Sequence, residues 1–173
     1  MILIVEGESD RIVLQGWARK LGYPLEEIHA AVVPARGVTK AKYHLKLWAE
    51  VARDIGLTSY VFVDKDGGDE VDKIVSEGLI QKENTHVLEN GCIEDYYPID
   101  ILVDALKTIF SIPVVKEDIL TGGRVKTISK LLKKEPWEWK VPLAEEVSKT
   151  TERRQVPRAV ANFIRQVYSD NKR

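Results

Sequence analysis

Two short acidic runs are the stretches of this sequence best suited to chemistry. Glu6-Gly7-Glu8-Ser9-Asp10 follows the apolar run Met1 to Val5, and Asp64-Lys65-Asp66-Gly67-Gly68 follows Ser59 to Val63. Asp64 and Asp66 stand two apart, so on an extended backbone their side chains point to the same side. Asp10 falls in the first turn of the following helix, from where it can swing back toward Glu6. Hard oxygen donors of this kind suit Mg²⁺ or Mn²⁺ rather than zinc. Carboxylates crowded together without a cation repel one another, and some must take up protons. One divalent ion, or a pair, removes that conflict and brings phosphoryl-transfer chemistry: a phosphate polarised, a water activated, a leaving oxygen stabilised. Gly7 lets the backbone approach a ligand, and Gly67-Gly68 allows a turn with positive φ directly after the acids. Each run also has a plainer reading. Acids after a strand commonly cap helices, Asp10 gains from a helix dipole in any case, and Asp-Lys-Asp-Gly-Gly is a workable polar turn. The metal reading is favoured because both runs close strands of buried type.

For the two runs to meet, their strands must lie in one sheet and end on the same edge. In open α/β sheets, ligands bind outside the carboxyl ends of the strands. The first half of the chain alternates the required signals. Met1 to Val5 is a continuous apolar, β-branched run of the kind found in buried parallel strands. Ser9 to Leu21 carries a helical stripe through Ile12, Val13, Trp17, Ala18 and Leu21, ended by Gly22 and Pro24. Ile28 to Val33 reads as a second strand closed by Pro34. Lys40 to Ile55 reads as a helix with Leu45, Trp48, Ala52 and Ile55 on one face. Ser59 to Val63 is a third strand, Asp69 to Glu77 a short helix, and Thr85 to Leu88 a short fourth strand. This order implies an α/β, doubly wound parallel sheet of about four strands with helices on both faces.

Beyond residue 95 the strand signals stop. Helices are expected at Pro98 to Phe110, Val125 to Lys134 and Val156 to Tyr168, with Glu135 to Pro142 as a Pro/Trp-rich joining segment. The organisation expected is a core at 1–97 and a helical section at 98–173 that completes the same domain. The length of 173 residues allows a real core, and 44% hydrophobic with 31% charged residues argues against intrinsic disorder. No apolar run approaches the roughly 20 residues of a membrane span. Met1 to Val5 is too short and too uncharged for a signal peptide, and the one cysteine, Cys92, excludes an intramolecular disulfide or multi-cysteine zinc site. The compartment expected is the cytoplasm. The net charge of -1 conceals an asymmetry: residues 1–115 carry 12 Lys/Arg and 19 Asp/Glu (-7), and residues 116–173 carry 14 and 8 (+6). That division fits metal ligands in front and phosphate contacts behind, and it fits two solvated surfaces equally well.

Glu-Gly at the end of a first strand and Asp-x-Asp at the end of a third resemble the Toprim domain of topoisomerases, bacterial primases, RecR-like proteins and small nucleases. The opening Val5-Glu6-Gly7-Glu8-Ser9-Asp10 is most similar to the OLD-family (overcoming lysogenization defect) nuclease type. The resemblance implies that Glu6 is a metal ligand or acid/base and that Asp10, Asp64 and Asp66 bind two ions. It implies a further ligand, Glu94, in Leu88-Glu89-Asn90-Gly91-Cys92-Ile93-Glu94-Asp95-Tyr96, with Glu89 and Asp95 as the neighbouring choices. It also implies that Lys126, in Gly122-Gly-Arg-Val-Lys126, is the basic residue at the scissile phosphate. OLD-family proteins usually carry an ATPase before the Toprim part. This sequence has no G-x-x-x-x-G-K-[ST] loop and begins on the first Toprim strand, leaving three arrangements: a separate ATPase subunit, a stand-alone nuclease, or part of a longer chain.

The function expected is a metal-dependent endonuclease or nickase on DNA, with no membrane role. Rival readings keep the fold but alter the activity, to an RNA-processing nuclease, primase-like nucleotidyl transfer, or a non-catalytic module recruiting an ATPase or repair complex. A small-molecule phosphohydrolase with Asp64 as nucleophile is disfavoured, because its Asp-x-Asp usually follows the first strand. The basic segment 124–134 (Arg124, Lys126, Lys130, Lys133, Lys134) is expected on a helix that contacts nucleic acid. Isolated His29, His44 and His86 are set aside, Ser9 reads as a capping residue, and Cys92 as a small filler. Trp137 and Trp139 read as a packed flap or partner surface.

Overall fold

The computed structural model describes residues 1–35, 41–119 and 123–172, with only the backbone at 41–44. Lys40, the side chain of His44, and Gly122 lie outside the described residues. Four strands, β1 (Ile2–Val5), β2 (Ala31–Pro34), β3 (Ser59–Val63) and β4 (Thr85–Val87), form one parallel sheet in the order β2-β1-β3-β4. The helices are α1 (Glu8–Leu21), α2 (Ala41–Asp54), α3 (Gly68–Ser76), α4 (Ile99–Phe110), α5 (Lys116–Ile119), α6 (Arg124–Leu132), α7 (Pro136–Thr150) and α8 (Arg158–Asn171). The doubly wound parallel sheet read from the sequence is the observed one.

Every residue of β1 and β3 is buried. Because successive side chains alternate faces, each strand serves two cores. Leu3, Val5, Tyr60 and Phe62 join a large core with residues of α1, α4, α7 and α8. Ile2, Ile4, Val61 and Val63 face a smaller one with Leu45, Ala49 and Ala52 of α2 and Val71 and Ile74 of α3. This explains the unbroken apolar strands: neither face could be polar. Among the described residues, no helix is long and apolar enough to cross a membrane.

Four local expectations require correction. β2 starts at Ala31, because Leu25–Ile28 forms a 3-10 turn that ends at His29 with φ 51°. Gly67 and Gly68 have φ of -80° and -58°, so no left-handed turn follows the acids. Gly67 is needed for space: a Cβ there would lie 2.9 Å from Val63 Cβ. Ser9 is buried inside the first turn and is not the capping residue; Gly7 is the N-cap, and Asp10 Oδ2 accepts from the Gly7 N–H at 2.8 Å.

The fourth correction is the largest. Glu135 to Pro142 is not a linker but opens α7, with Pro136 in the first turn, where its missing N–H costs nothing. Pro142 lies inside the helix at a local cost of about 3 kcal/mol. Burial of Trp139, Leu143, Ala144 and Val147 along one face offsets it. Trp139 is fully buried, its Nε1–H donating to Ser129 Oγ at 3.0 Å, whereas Trp137 is 75% exposed.

The pairing of α1 with α7 is close. A Cβ on Gly16 would lie 1.7 Å from Ser148 Oγ, and Lys20 Nζ donates to the Lys149 carbonyl at 2.9 Å. Both contacts lie toward the C-terminal ends of the two helices, so α1 and α7 run the same way.

Candidate metal centre

From β1 the chain crosses through α1 to β2 on one side, then returns past β1 to β3 on the other. The carboxyl ends of β1 and β3 therefore adjoin where the path reverses, the place where open α/β sheets bind ligands. Glu6 leaves β1 there and Asp64 leaves β3 beside it. Glu6 Oε2 accepts the Asp64 backbone N–H at 3.2 Å. Glu6, Asp64 and Asp66 each offer a carboxylate oxygen within 4.8 Å of the others. Glu6 is half-buried, Asp64 buried and Asp66 exposed, so the group grades from protein into solvent.

A loop closes the far side. Asp64 Oδ1 accepts the Ile93 N–H at 3.1 Å, and the Lys65 N–H donates to the Gly91 carbonyl at 2.9 Å. This fixes a 3-10 turn, Ile93–Tyr96, whose Glu94 is fully buried. Lys140 of α7 reaches Glu94 from the large-core side, with Nζ 3.2 Å from both carboxylate oxygens and donating to Oε2. Asp10 lies behind Glu6, its Oδ2 spent on the Gly7 cap. The resulting cleft, of about 670 Å³, is lined by Glu6, Asp64, Asp66, Cys92, Val125 and Lys140, among others.

Crowding shows in the acidities. Burial, then Glu94 and Glu6, push Asp10 up to about 7. Burial, then Asp10, Glu6 and Glu94, push Asp64 up to about 9, and burial also raises Glu6. Burial alone would lower Lys140, but the neighbouring anions, Glu94 foremost, hold it above its ordinary value and keep it charged. Lys140 and the exposed Lys65, which also lines the cleft, do not balance the carboxylates. Among the described residues, Asp10 Oδ1 and Glu94 Oε1 are buried and accept no hydrogen bond, and the buried Tyr97 hydroxyl has no hydrogen-bond partner. The unspent Asp10 Oδ1, beside a cluster of the same charge, fits a hard divalent cation well, whereas Glu94 Oε1 already lies 3.2 Å from Lys140 Nζ.

The structure thus brings Glu6, Asp64 and Asp66 together and sets Asp10 and Glu94 in a buried layer behind them. Asp95 is occupied elsewhere, with Oδ2 accepting from the Cys92 N–H at 3.0 Å and Oδ1 from the Arg124 N–H at 3.0 Å. Glu89 is exposed and does not line the cleft. Lys126 is exposed on α6 and does not line it either; Lys140 does. Arg124 is turned inward, its Nη1 donating to the carbonyls of Glu94 at 3.0 Å and Tyr97 at 2.6 Å, so it braces the 3-10 turn. Sequence reasoning missed Lys140 because the prolines made its segment look like a linker. The Trp139, Leu143, Val147 spacing was the available signal. His86 packs against Phe62 and Phe163, with ring centroids 5.3 and 5.2 Å away. Burial pushes the Cys92 thiol up, away from the reactive thiolate.

Residues 1–66 match the family model described as the TOPRIM domain of overcoming lysogenization defect protein-like proteins. Residues 1–66 are thus similar to an OLD-like Toprim domain. The match covers β1 through Asp66, and so contains Glu6, Asp10, Asp64 and Asp66 but neither Glu94 nor Lys140. The whole chain is similar in fold to the C-terminal region of the Burkholderia pseudomallei OLD protein, with TM-score 0.74 at 13% identity, covering 98% of this chain and 96% of that one. It is also similar to the C-terminal region of the Xanthomonas campestris pv. campestris OLD protein, with TM-score 0.66 at 14% identity, covering 99% and 97%. No curated protein sequence matches the chain. The similarity of residues 1–66 to that domain, together with the acidic cluster, suggests a nuclease-type role with divalent metal.

Proposed function

We propose that this domain is a metal-dependent endonuclease that nicks or cuts DNA. The observation that carries the reading is the convergence of Glu6, Asp64 and Asp66 at the adjoining carboxyl ends of β1 and β3. These three would hold Mg²⁺ or Mn²⁺ directly, and Asp10, through its free Oδ1, and Glu94, which is ion-paired with Lys140, would serve a second ion. An ion held there would supply Lewis-acid polarisation of the phosphate and a more acidic water.

The chain's own groups have separable roles. Glu6 Oε2 is tied to the Asp64 amide, leaving Oε1 to bind an ion or receive the proton of the attacking water. Water oxygen bonds to phosphorus as its proton passes to Glu6, the bond to the leaving sugar oxygen breaks, and that oxygen takes up a proton from solvent, to which Glu6 later returns its own. Lys140, held charged beside Glu94, offers positive charge to the phosphate as negative charge develops, the role the family resemblance had given to Lys126. The graded burial of the cluster lets a phosphodiester approach from the Asp66 side while Asp10 and Glu94 stay dry.

The test is incubation with supercoiled plasmid in Mg²⁺, Mn²⁺ or chelator. Nicked or linear product is expected only with a divalent ion, and more with Mn²⁺ than with Mg²⁺. Undiminished cleavage in excess chelator overturns the reading.

A further inference from the structure

A second cleft, of about 1030 Å³, lies where α1 and α7 end. Its floor is apolar, around Tyr23 and Val156, and its rim carries Arg153, Arg154, Arg158 and Arg165. All four arginines are exposed. The acid in the lining, Glu152, is bound to Arg154 with Nε to Oε2 at 3.0 Å, and Arg165 Nη1 donates to Asn162 Oδ1 at 3.2 Å. Four arginines against one glutamate leave an excess of three positive charges. Arg158 is also the first residue of α8, whose first turn contains no acid. A cation there opposes the helix dipole, and a bound anion would relieve both the dipole and the mutual repulsion. Guanidinium groups on a rim suit phosphate oxygens, which they can bind in pairs.

The cleft and the metal centre lie at opposite ends of the same helices. Asp10 and Lys140 stand near the starts of α1 and α7; Leu21, the last residue of α1, and Glu152, just past α7, line the arginine cleft. At about 1.5 Å per residue, Asp10 to Leu21 spans about 17 Å, which is about 5 base pairs of duplex at 3.4 Å each. We propose that the arginine cleft is a second anchoring site for the DNA backbone, gripping phosphates about half a helical turn from those at the carboxylates. The choice of DNA as the polyanion rests on the nuclease reading; the existence of a phosphate-binding cleft does not.

The test measures binding of a fluorescent 30-base-pair duplex against salt concentration, in chelator so that nothing is cut. Arg158→Gln/Arg165→Gln and Arg153→Gln/Arg154→Gln are compared with wild type. Each double variant is expected to flatten the slope of log affinity against log salt by about 2. Arg158→Lys/Arg165→Lys should keep the slope and lose affinity. In Mn²⁺, the variants should hydrolyse bis(p-nitrophenyl) phosphate, too small to span both sites, as wild type does, while plasmid cleavage falls at least fivefold. Unchanged melting temperatures are expected, because the substituted side chains are exposed. Wild-type slope and affinity in both Gln variants overturn the cleft, and the nuclease reading survives if plasmid is still cut. Loss of slope in a protein that never cuts plasmid keeps the cleft and overturns the nuclease reading. Poly-glutamate competing as well as unlabelled duplex overturns the proposal in favour of an acidic protein partner.

Discussion

The two ends of α1 show two ways for a protein to use charge. At its start, carboxylates are gathered out of water, two buried oxygens accept no hydrogen bond, and Asp10 and Asp64 are pushed far above the usual carboxylate range. At its end, arginines of one sign stand in solvent around an apolar floor. Ligands for a cation must be desolvated and held a few ångströms apart, so the fold itself bears their repulsion. A field for a polyanion needs only proximity, and water keeps its cost small. On the proposed function, the first arrangement trades stability for activity, whereas the second is nearly free. Substitutions should therefore behave in opposite ways at the two ends.

The largest effect is expected at the cluster. Asp64→Asn keeps the shape and removes a crowded charge, so cleavage should fall about 10³-fold or more. The metal-free melting temperature should stay unchanged or rise. Mn²⁺ should stabilise wild type by mass action and the variant less. A variant that melts lower, yet gains as much from Mn²⁺ as wild type, would break the contrast by showing Asp64 to be a structural turn residue.

Lys140 is next. Removing it strands the fully buried Glu94, so Lys140→Ala should cost about 3 kcal/mol, roughly 6–12 °C of melting temperature, as well as activity. Lys126→Ala should stay within about 0.5 kcal/mol and cleave nearly as wild type. Equal effects of the two in thermal melts and plasmid cleavage would return Lys126 to candidacy.

The shared scaffold can be tested at Gly16, where an added Cβ would collide with Ser148. Gly16→Ala should cost about 1–3 kcal/mol by forcing α1 and α7 apart, and Ser148→Gly should restore most of it. Lack of rescue by the double variant would mean the helices are held by other contacts.

The smallest effect is the pH response. Raised folded-state acidities mean the folded protein keeps protons that the unfolded chain releases. This stabilisation is complete below the ordinary aspartate value of 3.8 and is lost as pH rises through about 7 for Asp10 and about 9 for Asp64. The metal-free melting temperature should thus fall, by about 5 °C, between about pH 5 and pH 9. Mn²⁺ should stabilise more at the upper end, where it no longer competes with protons. The arginine variants should follow the wild-type curve. A flat or rising metal-free curve would contradict the crowding of the carboxylates.

The sheet, and the acids on its edge, were legible in the amino-acid order alone. Met1 to Val5 and Ser59 to Val63 are apolar without alternation, which suits only strands covered on both faces, and the acids follow each strand directly. Local order alone fixes that much, since a residue one step past a buried strand must emerge at its carboxyl end. Nothing local could reveal α7. Pro142 carries a helix-breaking signal, and only the large core, by burying Trp139, Leu143 and Val147, overrides it. Lys140 was hidden for the same reason, since its partner Glu94 lies 46 residues away in sequence. Arg124 looked like a phosphate contact until the fold bent it onto the carbonyls of Glu94 and Tyr97. The arginine cleft likewise exists only because α1 and α7 run side by side and end together. Strand burial and its immediate neighbours are written in short-range composition. Which distant charges meet, and which are consumed in holding the backbone, is decided by how helices pack across the sheet.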